Sequence, residues 1–252
     1  MLWDQLTSTE FARIDRGVPV LLAVAATEQH GPHLPLATDR MIADHFSREI
    51  DKALGGRVLC LPTQALGCSE HHMDFAGTLS LRHESFRLCV LDTLESCARH
   101  GFRNFFILNA HGGNQAINGV ILEQFGSAHP ETRIATASWW QVARETLGQL
   151  TQTGPGGVGH ACEFETSLML SIAPDLVRQN AIPARANVAT YDWAEGDMLR
   201  GARASLFRST RQMTPTGVFG EPSAANTETG TAITTAVVAA LASILTSLFG
   251  IM

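Results

Sequence analysis

The chain's 252 residues are 45% hydrophobic and 17% charged, which excludes a disordered or fibrous protein and leaves room for one large α/β core or two small ones. A net charge of −6 argues against nucleic acid as the main partner. Five cysteines, odd in number and without a C-x-x-C pair, read as buried free thiols; with no basic, apolar leader in "MLWDQLTSTEF", they predict a cytoplasmic protein.

In chain order, strand and helix patterns alternate. Val18 to Ala26, "VPVLLAVAA", is a continuous apolar run expected of a strand buried on both faces. Asp39 is a candidate N-cap for a helix over "MIADHFSREIDKAL". Arg57 to Leu66 predicts a second strand ending near Pro62, and an amphipathic helix begins near Ser85 and closes at Gly101. Asn104 to Ala110 predicts a third buried strand that stops at "HGGN". A helix over about Gln115 to Ser127 and a strand in "TRIATASWW" follow. A further helix is expected from Glu163 to Ile172, ended before Pro174. Ala181 to Ser223 has weak periodicity and many turn residues, which predicts long loops and a short strand pair. Thr231 to Met252 is uncharged and about as long as a membrane span, but its Thr and Ser content and the lack of a basic anchor favour a buried helix. No repeat, linker or boundary interrupts the pattern, so residues 1–252 are read as one domain.

This alternation predicts an α/β fold, a mostly parallel central sheet between two helix layers. Ligands in such sheets bind beyond the carboxyl ends of the strands. Three ligand-rich segments fall there: Glu28-Gln29-His30, Ser69-Glu70-His71, and His111. Glu28 and His30, two apart, share one side of an extended backbone. Asp39 lies across a loop stiffened by Pro32 and Pro35, and Glu165 projects from the early turns of its helix. Carboxylates and imidazoles in this combination are what two divalent ions about 3.5–4 Å apart require to generate hydroxide and polarise a carbonyl. The mixed N/O set suits Zn²⁺, with Mn²⁺ or Fe²⁺ as alternatives, and Cys162 stays open as a nearby thiolate. His33 reads as a brace for the proline loop, His45, His83, His100 and His129 as packing or solvated residues, and Glu163 as a surface or supporting acid.

"TEQHGPHLPLATD", "GCSEHHMDFAGTLSL", "NAHGGN", "HACEFETSLML" and "GVFGEPSAANTETG" together resemble the creatininase (creatinine amidohydrolase) family, in order from about Val18 to Gly230. The resemblance implies a compact three-layer α/β/α sandwich, usually a homohexamer, with a two-metal site that hydrolyses C–N bonds of cyclic amides and related small molecules. It implies Glu28, His30, Asp39 and His111 as metal ligands, with Asp39 bridging, and Glu165 as a further acid at the site. His160 fits the histidine that protonates the leaving nitrogen, while a hydroxide bridging the metals attacks the carbonyl. Ser69, Trp139, Trp140 and Trp193 are candidate substrate contacts, one of the paired tryptophans being expected in the core.

The third motif departs from creatininase, which resembles His-Tyr-Glu where this chain has His111-Gly112-Gly113; the missing ligand then falls to Glu165. "HGGN" is similar to relatives that deformylate a formamidopyrimidine ribotide, trim a peptide cofactor precursor or hydrolyse a keto-inositol. The expected reaction is therefore hydrolysis of an amide or formamide C–N bond other than that of creatinine. The alternatives are C–C or lactone hydrolysis in a cyclic keto-polyol, and peptide trimming. A metal-dependent binding protein is the non-enzymatic rival, and His160 stands against it, since a structural metal needs no proton donor.

Overall fold

The computed structural model describes residues 1–250. After α1 (Ser8–Ala12), β1 (Val20–Val24), α2 (Thr38–Ala53), β2 (Leu59–Cys60), α3 (His83–Arg99), β3 (Asn104–Asn109), α4 (Gln115–Ala128) and β4 (Arg133–Ser138) alternate. The chain continues through α5 (Trp139–Val142), α6 (Arg144–Leu150), α7 (Glu163–Ile172), α8 (Thr210–Met213) and α9 (Thr227–Phe249). Ile251 and Met252, the end of the long apolar stretch, lie outside the described residues.

The four strands are parallel and lie in the order β2-β1-β3-β4. Their side chains alternate between two cores. Val20, Leu22, Val24, Phe105 and Ile107 pack with Phe86, Val90 and Leu94 of α3 and Ile121 and Phe125 of α4. Leu21, Ala23, Phe106 and Leu108 pack with Ile42 and Phe46 of α2, Leu168 of α7 and Val237 and Leu241 of α9. Helices therefore cover both faces, and β1 and the middle of β3 are apolar throughout because neither face meets water there, whereas the edge strand β4 is partly exposed and carries Arg133, Thr136 and Ser138. Each fully buried Phe or Leu contributes about 1.5–3 kcal/mol through the area it removes from water.

The crossover from β1 to β2 runs through α2 on one face, whereas those from β2 to β3 and β3 to β4 run through α3 and α4 on the other. Right-handed crossovers demand that change of face when the winding direction reverses. The reversal opens a crevice beyond the ends of β1 and β3.

Four local expectations change. The N-cap of α2 is Ala37, not Asp39; Thr38 Oγ1 donates to the Pro35 carbonyl at 2.7 Å, and Asp39 sits inside the first turn with its carboxylate buried. The strand β2 is only two residues long. Leu61 and Gln64 still donate to β1 carbonyls, but Pro62 has no N–H and breaks the ladder. Cys89 is exposed, while the other four thiols are buried and free. In the long loops, α8 appears in place of a strand pair. The helix α9 is long and apolar enough to cross a membrane. Its Ile233, Val237, Leu241 and Leu245 form a buried row toward α7 and α2, and its exposed positions are Thr227, Glu228, Thr231, Thr235, Ala239, Ser243, Thr246 and Ser247.

Candidate metal centre

Beyond the ends of β1 and β3 the chain gathers acids and imidazoles with almost no exposure. Glu28 and His30 leave β1, Asp39 turns in from α2, His111 leaves β3, and Glu165 turns in from the first turn of α7. His30 Nδ1 donates to the Glu28 carbonyl at 3.1 Å, which points Nε2 at Asp39 Oδ1, 3.0 Å away, and at Glu165 Oε1, 3.9 Å away. His111 is held the other way round. Its Nε2 donates to the Cys68 carbonyl at 3.1 Å, so Nδ1 stands 3.2 Å from both Glu28 Oε1 and Asp39 Oδ2. The two oxygens of Asp39 thus face different imidazoles, as a bridging carboxylate must.

Glu28-Asp39-His111 and His30-His160-Glu165 form two triads, and Glu28-His72-His160 a third, each with ligand atoms within 4.8 Å of one another. Both Glu28 oxygens, Asp39 Oδ2 and His30 Nε2 are buried without an aligned hydrogen-bond partner among the described residues. Lone pairs that converge on a common space, rather than on each other, fit cations there. Backbone N–H and C=O groups already orient the imidazoles, as ligating histidines require.

Without a cation, burial pushes the His30 and His111 imidazoles down, but the Asp39 and Glu28 carboxylates outweigh it, lifting His30 to about 9 and His111 well above its usual range. Burial raises Asp39 and Glu28, yet the facing imidazoliums leave both below the ordinary carboxylate range. Glu165 is lifted to about 7, by burial first and by Asp39 beside it. Its Oε2 accepts the Ala161 N–H, and Ala161 holds a left-handed φ of 50°, a strained conformation for a residue with a Cβ.

Asn114 brackets the site from below. Its Oδ1 accepts the Cys68 N–H at 2.9 Å, and its Nδ2 donates to the Ala25 carbonyl at 3.1 Å, tying the loops that follow β1 and β2 to the start of α4. Gly113 is required beside it, because a Cβ there would stand 2.1 Å from the Cys68 carbonyl oxygen.

A family model described as "Creatininase: Creatinine amidohydrolase" matches residues 4–245. The chain belongs to the creatininase family. It is 32% identical over 219 residues to "Mycofactocin precursor peptide peptidase" of Mycobacterium ulcerans (strain Agy99), covering 84% of this chain and 78% of that one. It is 30% identical over 190 residues to "Creatinine amidohydrolase" of Pseudomonas putida, covering 69% and 72%. The solved structure "Creatininase Mn" superposes with a TM-score of 0.83 at 24% identity over 98% of each chain, a likeness of fold.

In this creatininase-family site a cavity of about 410 Å³ reaches Glu28, Asp39, His111, His160 and Glu165, with Trp140 on its wall. His160 is anchored by backbone pairing with Phe219, at 2.7 and 2.9 Å, and its Nε2 donates to the Gln29 carbonyl at 2.7 Å. Burial and the nearby His30 imidazolium push His160 down to about 3, so it rests neutral with Nδ1 bare, 3.6 Å from Glu28 Oε1.

Other candidates fall elsewhere. Ser69 is fully buried behind His111, its hydroxyl 3.3 Å from Nε2, and does not line the cavity. Trp139 is the tryptophan that packs in the core, against Phe46. Trp193 stacks on Tyr191 away from the cavity. Glu163 is fully buried rather than on the surface, and accepts from Thr151 Oγ1, Gln152 N and Thr153 Oγ1. Cys162 has its thiol pushed up to about 12 by burial and by Glu165, and joins none of the triads. His33 is the brace it was expected to be, its Nε2 2.9 Å from Thr166 Oγ1.

From the sequence His72 has no role, and Gln29 only a place in the ligand-rich segment Glu28-Gln29-His30. His72 is buried, and its Nε2 lies 3.3 Å from Glu28 Oε1. The available signal was the doubled histidine in "SEHHMD": on the three-residue turn Glu70–His72 both imidazoles line the cavity, their ring centroids 4.3 Å apart.

Proposed function

We propose that the chain is a two-metal hydrolase that cleaves an amide-type C–N bond of a small molecule. The observation that carries this reading is the Asp39 carboxylate with one oxygen toward His30 and the other toward His111. Glu28, Asp39 and His111 would hold one divalent ion, and His30, Asp39 and Glu165 the other. The N/O donors suit Zn²⁺, with Mn²⁺ or Fe²⁺ as alternatives. Such ions supply an acidified water and a polarised carbonyl.

The chain's own residues do the rest. His160, neutral and facing the cavity through Nδ1, accepts a proton there and returns it to the departing nitrogen, which leaves badly unless protonated. Rather than a standing proton donor, it is an acceptor that becomes one. Trp140 offers the substrate an apolar wall, and burial of the triads keeps bulk water from screening the charges.

One observation favours a second reading, peptide trimming. The cavity at the metal centre shares Gly196, Asp197, Arg200, Gly201, Met213 and Phe219 with a larger one of about 720 Å³. A ring or formamide does not need that volume, whereas a peptide does, and relatives at 32% identity are named peptide peptidases. Protein stripped by a chelator and then given Zn²⁺ or Mn²⁺ tests both readings against cyclic amides, N-formyl compounds, short peptides and cyclic polyol ketones. Activity that returns with metal on one of the first three supports C–N hydrolysis. Turnover of the ketones alone points to C–C cleavage, and tight binding without turnover to the non-enzymatic reading. Full activity in stripped protein, or in a His30→Ala variant with full metal content, sinks the assignment.

A further inference from the structure

The tautomer of His72 can be deduced from backbone atoms alone. Gln29 Oε1 accepts the Gly31 N–H at 2.9 Å, and Gln29 Nε2 donates to the Gly217 carbonyl at 3.0 Å. Neither backbone group can exchange its role, so the orientation of the Gln29 amide is fixed. The remaining Nε2 hydrogen of Gln29 goes to His72 Nδ1 at 2.8 Å, because His160 Nε2, 3.1 Å away, already carries the hydrogen it gives to the Gln29 carbonyl and cannot accept. Nδ1 must accept it, and Thr210 Oγ1 donates to the same nitrogen at 3.0 Å. The ring's hydrogen therefore sits on Nε2, 3.3 Å from Glu28 Oε1.

A nitrogen that carries hydrogen has no lone pair for a metal. Glu28, His72 and His160 bring ligand atoms within 4.8 Å of one another, which by distance alone would make His72 a third imidazole ligand. The hydrogen-bond chain argues otherwise. We infer that His72 is a positioning residue whose Nε2–H faces the Glu28 carboxylate at 3.3 Å, an electrostatic contact rather than an aligned hydrogen bond, and that Gln29 and the late loop bearing Thr210 and Gly217 lock it in that state. The glycine at 217 is part of the lock: its φ is 82°, and a Cβ there would stand 2.1 Å from Gln29 Oε1. Residues 210–217 thereby reach the metal centre without supplying a ligand.

This inference rests on the two-metal reading, and the experiment separates the two. Zinc affinity is measured by chelator competition on the full chain, with thermal melting of each metal-free variant as a control for folding. His72→Leu is expected to weaken zinc binding about 10–100-fold, the usual effect of removing a group that orients a ligand. His72→Gln, whose amide N–H can replace Nε2–H, is expected to restore most of that loss. In ¹⁵N-labelled wild type, the His72 ring should show a protonated Nε2 and a bare Nδ1 with and without zinc, and Gln29→Leu should abolish that single tautomer. Full zinc affinity in His72→Leu, or a metal-shifted Nε2 resonance on zinc addition, overturns the inference. If His72→Leu fails to fold, the Gln variant and the tautomer signal still decide. Wild type that takes up no zinc overturns the underlying two-metal reading instead.

Discussion

The helices α2 and α7 treat first-turn acids unlike α3 on the opposite face, and unlike α6 and α9 in their own layer, whose first-turn Glu145 and Glu228 are exposed. On the face covered by α2 and α7, Asp39 and Glu165 stand in first turns and are almost fully buried. On the other face, Glu84 in the first turn of α3 is exposed beside Arg87, and Glu123 of α4 is exposed as well. An unpaired buried carboxylate is costly, whereas a solvated one at a helix start is mildly favourable. First-turn position is therefore shared by both layers; what differs is whether something inside offsets the desolvation. Imidazoles do so in the metal-free protein, and cations would do so in the active one.

The largest effect should come from removing the proposed shared ligand: Asp39→Ala is expected to lower zinc affinity by more than about 100-fold, beyond the usual loss from an orienting group. Zinc stoichiometry by elemental analysis and hydrolysis of the best substrate check it together. The acid pair on α7 gives a sharper contrast. Glu165→Gln should lose activity with little loss of metal-free stability, because its carboxyl is already lifted to about 7. Glu163→Gln should keep its zinc but destabilise the fold by about 1–3 kcal/mol, as one of its two acceptor oxygens becomes an NH₂ group facing the loop donors. Denaturant titration with metal analysis separates the two.

A smaller effect is expected from pH. His30 is raised from 6.5 to about 9, so its stabilising contribution is complete below pH 6.5 and is lost as pH climbs through 9. His33, lowered to about 4, and His160, lowered to about 3, contribute above pH 6.5 and lose that contribution as pH falls toward those values. Metal-free protein should therefore melt highest near pH 6.5, and zinc, which displaces the His30 proton, should flatten the alkaline side. An alkaline limb unchanged by zinc would break the comparison. The smallest effect belongs to the other layer, where Glu123→Ala should stay within about 0.5 kcal/mol and keep full zinc content.

Much of this was legible in the sequence, for identifiable reasons. The strands β1 and β3 announce themselves as unbroken apolar runs, and the placement of Glu28, His30 and His111 at their ends follows from parallel topology. The helix α7 begins and ends where its pattern and Pro174 predict. Asp39 was found as a ligand candidate but misread as a cap, because which way a first-turn carboxylate faces depends on His30 and His111, not on neighbours in sequence. The partners of His72 and Gln29 come from backbone atoms at positions 31 and 217, a pairing that no local pattern carries. Ser69 and Trp139 have the chemistry of pocket residues and were misassigned because side-chain direction, not type, decides what lines a cavity.

The amide of Asn114 deserves a last consequence. It joins the loops leaving β1 and β2 to the start of α4, adding one side chain to the ties of Ala25 N–H to the Gln64 carbonyl, Thr27 Oγ1 to that of Ala65 and Ala110 N–H to that of Val24. The wall opposite comes from residues 196–202, 213 and 219, segments that contribute no ligand. A floor fastened at many points and a cover that can vary residue by residue form a chassis with interchangeable bodywork. New substrates can be admitted by altering the cover, while a change at Asn114 would loosen the floor for all of them.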